Sequence, residues 1–228
     1  MNSFIYTPTP NLAKSKSFFQ QLNFQELPAE KGAYFSDGRC IIEINENRST
    51  RPGIKIYKDS WKEMHDKKVL GSFHSIEGGQ VLADPNGVWV YLMEGESPIP
   101  TDITQYPLST LGNYMGVSLE AVNFEGTRTF WEALGFSIHM GTPEQGWIVL
   151  MHPSGVGISL MKAGSCPHMF INPSLTYFNG KNNPGIIEKV RKTDVLIYEE
   201  VTAFSEKGEV DNIILREPGG YGFFVFND

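Results

Sequence analysis

Two carboxylates sit in segments that otherwise read as sheet. Glu43 interrupts the apolar run Ile41-Ile42-Glu43-Ile44, and Glu120 ends the run that starts at Tyr114. A carboxylate held away from water without a partner has a raised pKa and can serve as a base. Near them in pattern are aromatic residues on β-type segments: Tyr6, Trp89, Tyr91, Tyr177 and Phe224. Aromatic faces attract cations by roughly 0.5–2 kcal/mol per contact, and ordinary pockets are apolar with a few placed polar groups. Tyr6, Glu43, Trp89, Tyr91, Glu120, Tyr177 and Phe224 therefore form a candidate ligand-binding set. It suits a flat molecule, partly apolar or cationic. The same aromatic residues would equally make a plain sheet core, and Glu43 and Lys55 could face solvent.

Other chemistry finds less support. The five histidines are His65, His74, His139, His152 and His168. No two share a short metal-binding spacing. His65 falls on a charged segment, His152 and His168 beside prolines, and His74 and His139 on strand-like segments, where a shifted metal site would have to be sought. Cys40 and Cys166 are too few for a disulfide framework and lack metal-ligand spacing, so two buried thiols are expected. There is no Gly-x-Gly-x-x-Gly after a strand, no Walker sequence and no Gly-x-Ser-x-Gly elbow. No cofactor is expected. The net charge of −7 over 228 residues argues against nucleic acid and anionic membranes, since both need a basic face. No apolar stretch approaches the ~20 residues of a membrane-spanning helix. Met1-Asn2-Ser3-Phe4 lacks a signal-peptide pattern, so a cytoplasmic location is expected. The expected partner is a small molecule, bound by a monomer or homodimer.

These residues need elements to position them, and the elements recur. Ser3 to Thr7 reads as a strand. Asn11 then caps a helix whose apolar residues are Leu12, Phe18, Phe19 and Leu22. Strand-like pieces follow around Ala33 to Ser36 and Cys40 to Glu46, with a hairpin turn at Asp37-Gly38. A second unit opens at Pro52-Gly53-Ile54. Its predicted helix starts at Ser60 and carries Trp61, Met64 and Lys68, and strands are predicted over Val69 to Ile76 and Gln80 to Ala83. It closes on Asp84-Pro85-Asn86-Gly87, a turn before the strand Val88 to Leu92. Residues 98–112, with Pro98, Pro100 and Pro107, read as a linker between domains 1–97 and 113–228. The pattern then repeats. Phe18-Phe19-Gln20-Gln21-Leu22-Asn23-Phe24 matches Phe130-Trp131-Glu132-Ala133-Leu134-Gly135-Phe136, with an αL-tolerant Asn or Gly closing each helix. Glu217-Pro218-Gly219-Gly220 matches the earlier turn. A fourth helix is predicted from Pro184, with Ile186, Ile187 and Val190 as its stripe. A repeat of this kind is the strongest feature of the chain.

The helix ending Phe130 to Phe136 and the turn Asp84 to Gly87 resemble the vicinal oxygen chelate superfamily, which includes glyoxalase I, bleomycin resistance proteins and extradiol dioxygenases. The resemblance implies an α+β fold, with four βαβββ units paired into two glyoxalase-like open barrels. It also implies that Trp89 and Tyr91, and Phe224 with Gly222, point into cavities. Family enzymes hold a divalent metal through His, Gln or Glu at slots on the first strand of each unit and after the Asp-Pro-x-Gly turn. Those slots fall here on Phe4, Gly116, Tyr91 and Phe224, with Gly53 or Ile54 and Ser174 or Leu175 in the remaining units. None is a normal metal ligand. The resemblance therefore implies a small-molecule binding protein of the glyoxalase or bleomycin-resistance type, holding an aromatic or cationic ligand without a catalytic metal. Two alternatives stand beside it. One is a metal-dependent lyase, isomerase or dioxygenase with non-standard ligands. The other is a degenerate scaffold.

Overall fold

The structure is a computed structural model describing residues 2–99 and 102–227. It holds two eight-stranded mixed sheets. The first runs β2 (Gln25–Leu27), β3 (Ala33–Ser36), β4 (Ile41–Asn45), β1 (Asn2–Pro8), β5 (Gly53–Lys58), β8 (Trp89–Glu94), β7 (Gly79–Ala83), β6 (His74–Ile76). The second repeats that order: β10 (Ser137–Thr142), β11 (Trp147–Met151), β12 (Gly157–Lys162), β9 (Tyr114–Ala121), β13 (Ser174–Phe178), β16 (Gly222–Phe226), β15 (Asn212–Arg216), β14 (Ile197–Val201). In each sheet the first strand pairs in parallel with the last of its own unit and antiparallel with the first strand of the next: β1 with β4 and β5, β9 with β12 and β13. The chain is thus α+β, built from four repeated units in two open, glyoxalase-like sheets.

The helices follow their capping residues. In α1 (Leu12–Gln21) the Asn11 side chain accepts from Lys14 N, and in α2 (Phe124–Ala133) Asn123 accepts from Gly126 N. Each is terminated by a left-handed residue, Asn23 at φ 60° and Gly135 at φ 101°. The fourth unit carries α3 (Asn183–Val190), with Pro184 in its first turn. The second unit departs from expectation. Instead of a helix from Ser60 it has two single 3-10 turns, Lys62–Met64 and Lys68–Leu70. Instead of a strand from Val69 it has only His74–Ile76. Trp61, Met64 and Leu70 are buried there, but three anchors among like-charged lysines are too few to offset the cost of nucleating a helix.

One apolar cluster runs through both halves. It takes the back faces of both sheets (Ile54, Ile56 and Val90 from one, Val117, Leu175 and Phe223 from the other) together with the helix residues between them. Phe18 lies 5.3 Å from Phe223, ring to ring. The repeated turns lock the halves together. Each carboxylate crosses to the helix of the other half. Asp84 accepts from Trp131 Nε1 at 3.3 Å, and Glu217 accepts from Ser15 Oγ at 2.7 Å and Thr7 Oγ1 at 2.8 Å. Ser15 and Thr127 occupy the same place in their helices, and Thr127 accepts from Asn86 in the first turn. The stretch 98–112, read as a linker, connects the sheets but is itself packed. Ile99 and Ile103 are buried against Phe4, Tyr34 and Tyr57, and Leu111 joins the main core. Within it, Pro100 and Thr101 lie outside the described residues. No helix among the described residues is long and apolar enough to cross a membrane.

Candidate functional site

Alternation along the strands assigns each residue to the back face or the concave face. In the second half, β11 turns Ile148 and Leu150 to the core and Trp147, Val149 and Met151 to the concave side. β12 likewise presents Gly157, Ser159 and Met161, β9 presents Gly116 and Ser118, and β16 presents Phe224 and Phe226. These walls enclose a cavity of about 660 Å³. Its aromatic side is a cluster in which Phe224 lies 4.9 Å from Phe170 and 5.3 Å from Phe226, with His168 5.2 Å from Phe224. Its opposite side carries Met115, Met140, Met151 and Met161, whose flexible thioethers fit irregular apolar ligands. The polar groups are few and mostly paired. Ser118 and Thr176 hydroxyls meet at 2.5 Å on the floor, and Trp147 Nε1 donates to Ser159 Oγ at 2.8 Å. Cys166 lies against Met161, its sulfurs 3.6 Å apart, and burial, then the Glu120 charge, raises its thiol pKa. Among the described residues the wall contains no Asp or Glu, and its one permanent charge is Arg39, which arrives from the first half.

The concave face of the first half is built on the same rows and is filled. Tyr6 packs on Tyr91 at 4.6 Å, and Trp89 flanks Tyr91 at 5.9 Å. Lys55 Nζ sits 4.2 Å from the Tyr6 ring and donates to Glu43 Oε1 at 2.6 Å. Burial raises the Glu43 pKa, and Lys55 opposes that rise. The other carboxylate oxygen, Oε2, is buried without a partner. Burial likewise pushes the Tyr6 hydroxyl up to about 12. The Tyr91 hydroxyl donates to Arg51 O at 2.7 Å and accepts from Arg51 N at 3.0 Å.

Four of the expected site residues, Tyr6, Glu43, Trp89 and Tyr91, are thus brought together, but against one another. Phe224 does line the open cavity. Tyr177 does not: it lies on the back face in the shared core, and its hydroxyl donates to Asp37 Oδ2 at 2.7 Å across the halves. The β13 ladder puts Thr176 on the concave side, with a register break immediately after it. Glu120 is also absent from the wall. Its Oε1 accepts from Gly164 N at 2.8 Å, which ties down the loop after β12. Arg39, Trp147, His168 and the methionines were not foreseen. The alternation of Trp147, Val149 and Met151 could have revealed the wall, whereas nothing local to Arg39 or His168 points to a cavity.

Solved structures with the same architecture can be set beside this geometry. A catechol 2,3-dioxygenase matches at 12% sequence identity over 97% of this chain and 85% of its own, with a TM-score of 0.57. A variant of 4-hydroxymandelate synthase from Streptomyces coelicolor matches at 12% identity over 97% and 90%, TM-score 0.56. Homoprotocatechuate 2,3-dioxygenase from Arthrobacter globiformis matches at 15% identity over 97% and 78%, TM-score 0.56. The fold is the one these dioxygenases and this synthase share. At these identities the likeness concerns the fold alone. No family model and no curated protein matches the chain.

The fold family implies a divalent metal, and the ladders show what stands where it would be held. Three residues meet in register across the central strands of each half: Phe4, Lys55 and Tyr91 in the first, Gly116, Thr176 and Phe224 in the second. Lys55 and Thr176 replace the residues expected from sequence at Gly53 or Ile54 and at Ser174 or Leu175. None of these six offers an imidazole or carboxylate, the usual donors to such ions. Among the described residues no three His, Cys, Asp or Glu side chains are grouped to hold an ion. His74 and His139 sit on different sheets. The residues present do not fit a divalent cation.

Proposed function

We propose that this protein binds a flat, largely apolar small molecule in the cavity of its second half, within a division into domains 1–97 and 113–228. The observation that carries this is the 660 Å³ space walled by Phe224, Phe226, Phe170, Trp147 and methionines. A buried apolar wall with few polar groups is the ordinary make-up of a small-molecule site. An aromatic ligand suits it better than a cationic one, because among the described residues no carboxylate lines the wall and Arg39 would repel a cation. The dioxygenase and synthase neighbours act on aromatic molecules by their names, which agrees with the shape of the space without assigning a reaction.

N-phenyl-1-naphthylamine, a neutral aromatic probe, tests this. Its binding should quench the emission of Trp147, and Trp147→Phe should lose most of that quenching. Ser118→Phe should remove binding, because the new ring enters the floor of the cavity. Undiminished binding by Ser118→Phe would sink the reading. Stoichiometric iron, manganese, zinc or nickel in the purified protein would favour a metal-dependent enzyme instead.

A further inference from the structure

The edge of the cavity that the two halves share holds an anchor that the apolar wall leaves unused. Arg39 projects from the β3–β4 turn of the first half into the wall of the second-half cavity. Its backbone is pinned on several sides. Asp37 Oδ1 accepts from both Arg39 N and Cys40 N at 2.8 Å, and Asp37 Oδ2 accepts from the Tyr177 hydroxyl of the other half. Gly38, at φ +80°, lies so close to the 98–112 segment that a Cβ would stand 2.6 Å from Tyr106 O. Thus the buried carboxylate nearest Arg39 in sequence is engaged by three donors. Among the described residues the Arg39 guanidinium has no ion pair: the salt bridges present involve Lys16, Lys55, Lys58, Arg128 and Arg191.

Tyr114 flanks Arg39 with its ring, which lies 5.7 Å from Tyr177, while its hydroxyl is buried in the core away from the cavity. Arg39, Tyr114 and Gly155 line both the large cavity and an adjoining smaller one of about 160 Å³. A guanidinium without an ion pair thus borders the same passage, and among the described residues it is the one permanent charge of the wall.

We propose that the ligand is an amphipathic anion, an aromatic body bearing a carboxylate or sulfonate, whose anionic end is held by Arg39. This rests on the reading of the large cavity as a binding site. Guanidinium forms forked, charge-assisted hydrogen bonds to such oxyanions. The body occupies the methionine and phenylalanine walls. Asp37 and Tyr177 act as positioning residues, since they fix the turn that carries Arg39.

Two fluorescent probes that differ only by a sulfonate test this on the full chain: 8-anilino-1-naphthalenesulfonate and N-phenyl-1-naphthylamine. The sulfonate should bind about tenfold more tightly, the scale of one partly exposed charge-assisted contact. Arg39→Gln should abolish that preference by weakening the sulfonate probe far more than the neutral one, Arg39→Lys should keep part of it, and 0.5 M salt, on the order of what screens exposed charges, should narrow it. Equal affinities in the unmodified protein, or equal weakening of both probes by Arg39→Gln, would overturn the anion site while the cavity reading stood. Binding of neither probe, or undiminished binding of both by Ser118→Phe, would overturn the cavity reading and the anion site with it.

Discussion

The two halves stand on the same ladder and differ in side-chain size. Row by row, Phe4 faces outward from β1 where Gly116 does so from β9, and Tyr6 where Ser118 does. Glu43 pairs with Tyr6 as Ser159 pairs with Ser118, and Lys55 lies beside Tyr91 as Thr176 lies beside Phe224. Large or charged residues close the first concave face, and Ile99 and Ile103 from the connecting segment cover it further. Glycine and small hydroxyl residues leave the second open. A duplicated framework thus carries one half whose concave face is packed and one whose concave face is hollow. Packing interactions stabilise the first, whereas the second leaves apolar surface available to a ligand.

The largest test of this contrast is truncation at matched positions. Tyr91→Ala should cost about 4 kcal/mol, because its ring is packed and its hydroxyl is bonded on both sides to Arg51. Phe224→Ala should cost about 2 kcal/mol, since its ring already borders empty space. Urea unfolding of both variants measures this, and equal losses would break the comparison.

The second test concerns the buried ion pair, which has only hydroxyls as its counterpart. Lys55→Met should cost about 3 kcal/mol near neutral pH, because Glu43 remains buried without its partner. Thr176→Val, which removes one hydroxyl contact, should cost about 1 kcal/mol. The pH dependence has a definite sign. Burial raises the folded-state pKa of Glu43, and loss of Lys55 would raise it further. An acid with a raised folded pKa holds its proton more tightly when folded. The Lys55→Met deficit should therefore be smallest at acid pH, grow as pH rises from the raised pKa of Glu43 toward its still higher one in the variant, and then level off. A deficit independent of pH would show that Glu43 reaches solvent.

The smallest effect is expected at the junction. Tyr114→Phe removes a buried hydroxyl without a partner, so the unliganded protein should gain up to ~1 kcal/mol. A loss of stability in thermal unfolding would mean that the hydroxyl has a partner in solution, and would weaken the contrast between Tyr114 and Tyr91, whose hydroxyl is bonded on both sides to Arg51.

Much of the framework was legible in the chain itself. The helix endings at Asn23 and Gly135 and the two turns at Asp84 and Glu217 are local devices, whose conformations depend on a few neighbouring residues. Repetition of those devices was enough to indicate four units and their pairing. The helix expected from Ser60 failed because its stripe was short and its termination early, at Gly71. Tyr177 lies on the back face because it sits next to Thr176, the concave-side residue of β13, and residue type within a strand does not show which face an aromatic ring takes.

The amino-acid sequence alone therefore determined most of the repeated secondary structure and the pairing of its units, since these depend on residue type and near-neighbour spacing. Only the tertiary structure decided which half is hollow. That depends on how Tyr6, Lys55, Tyr91 and a connecting segment fill one concave face, and on a turn from one half that delivers Arg39 to the cavity of the other. Such contacts join residues far apart in the chain, and no local pattern encodes them.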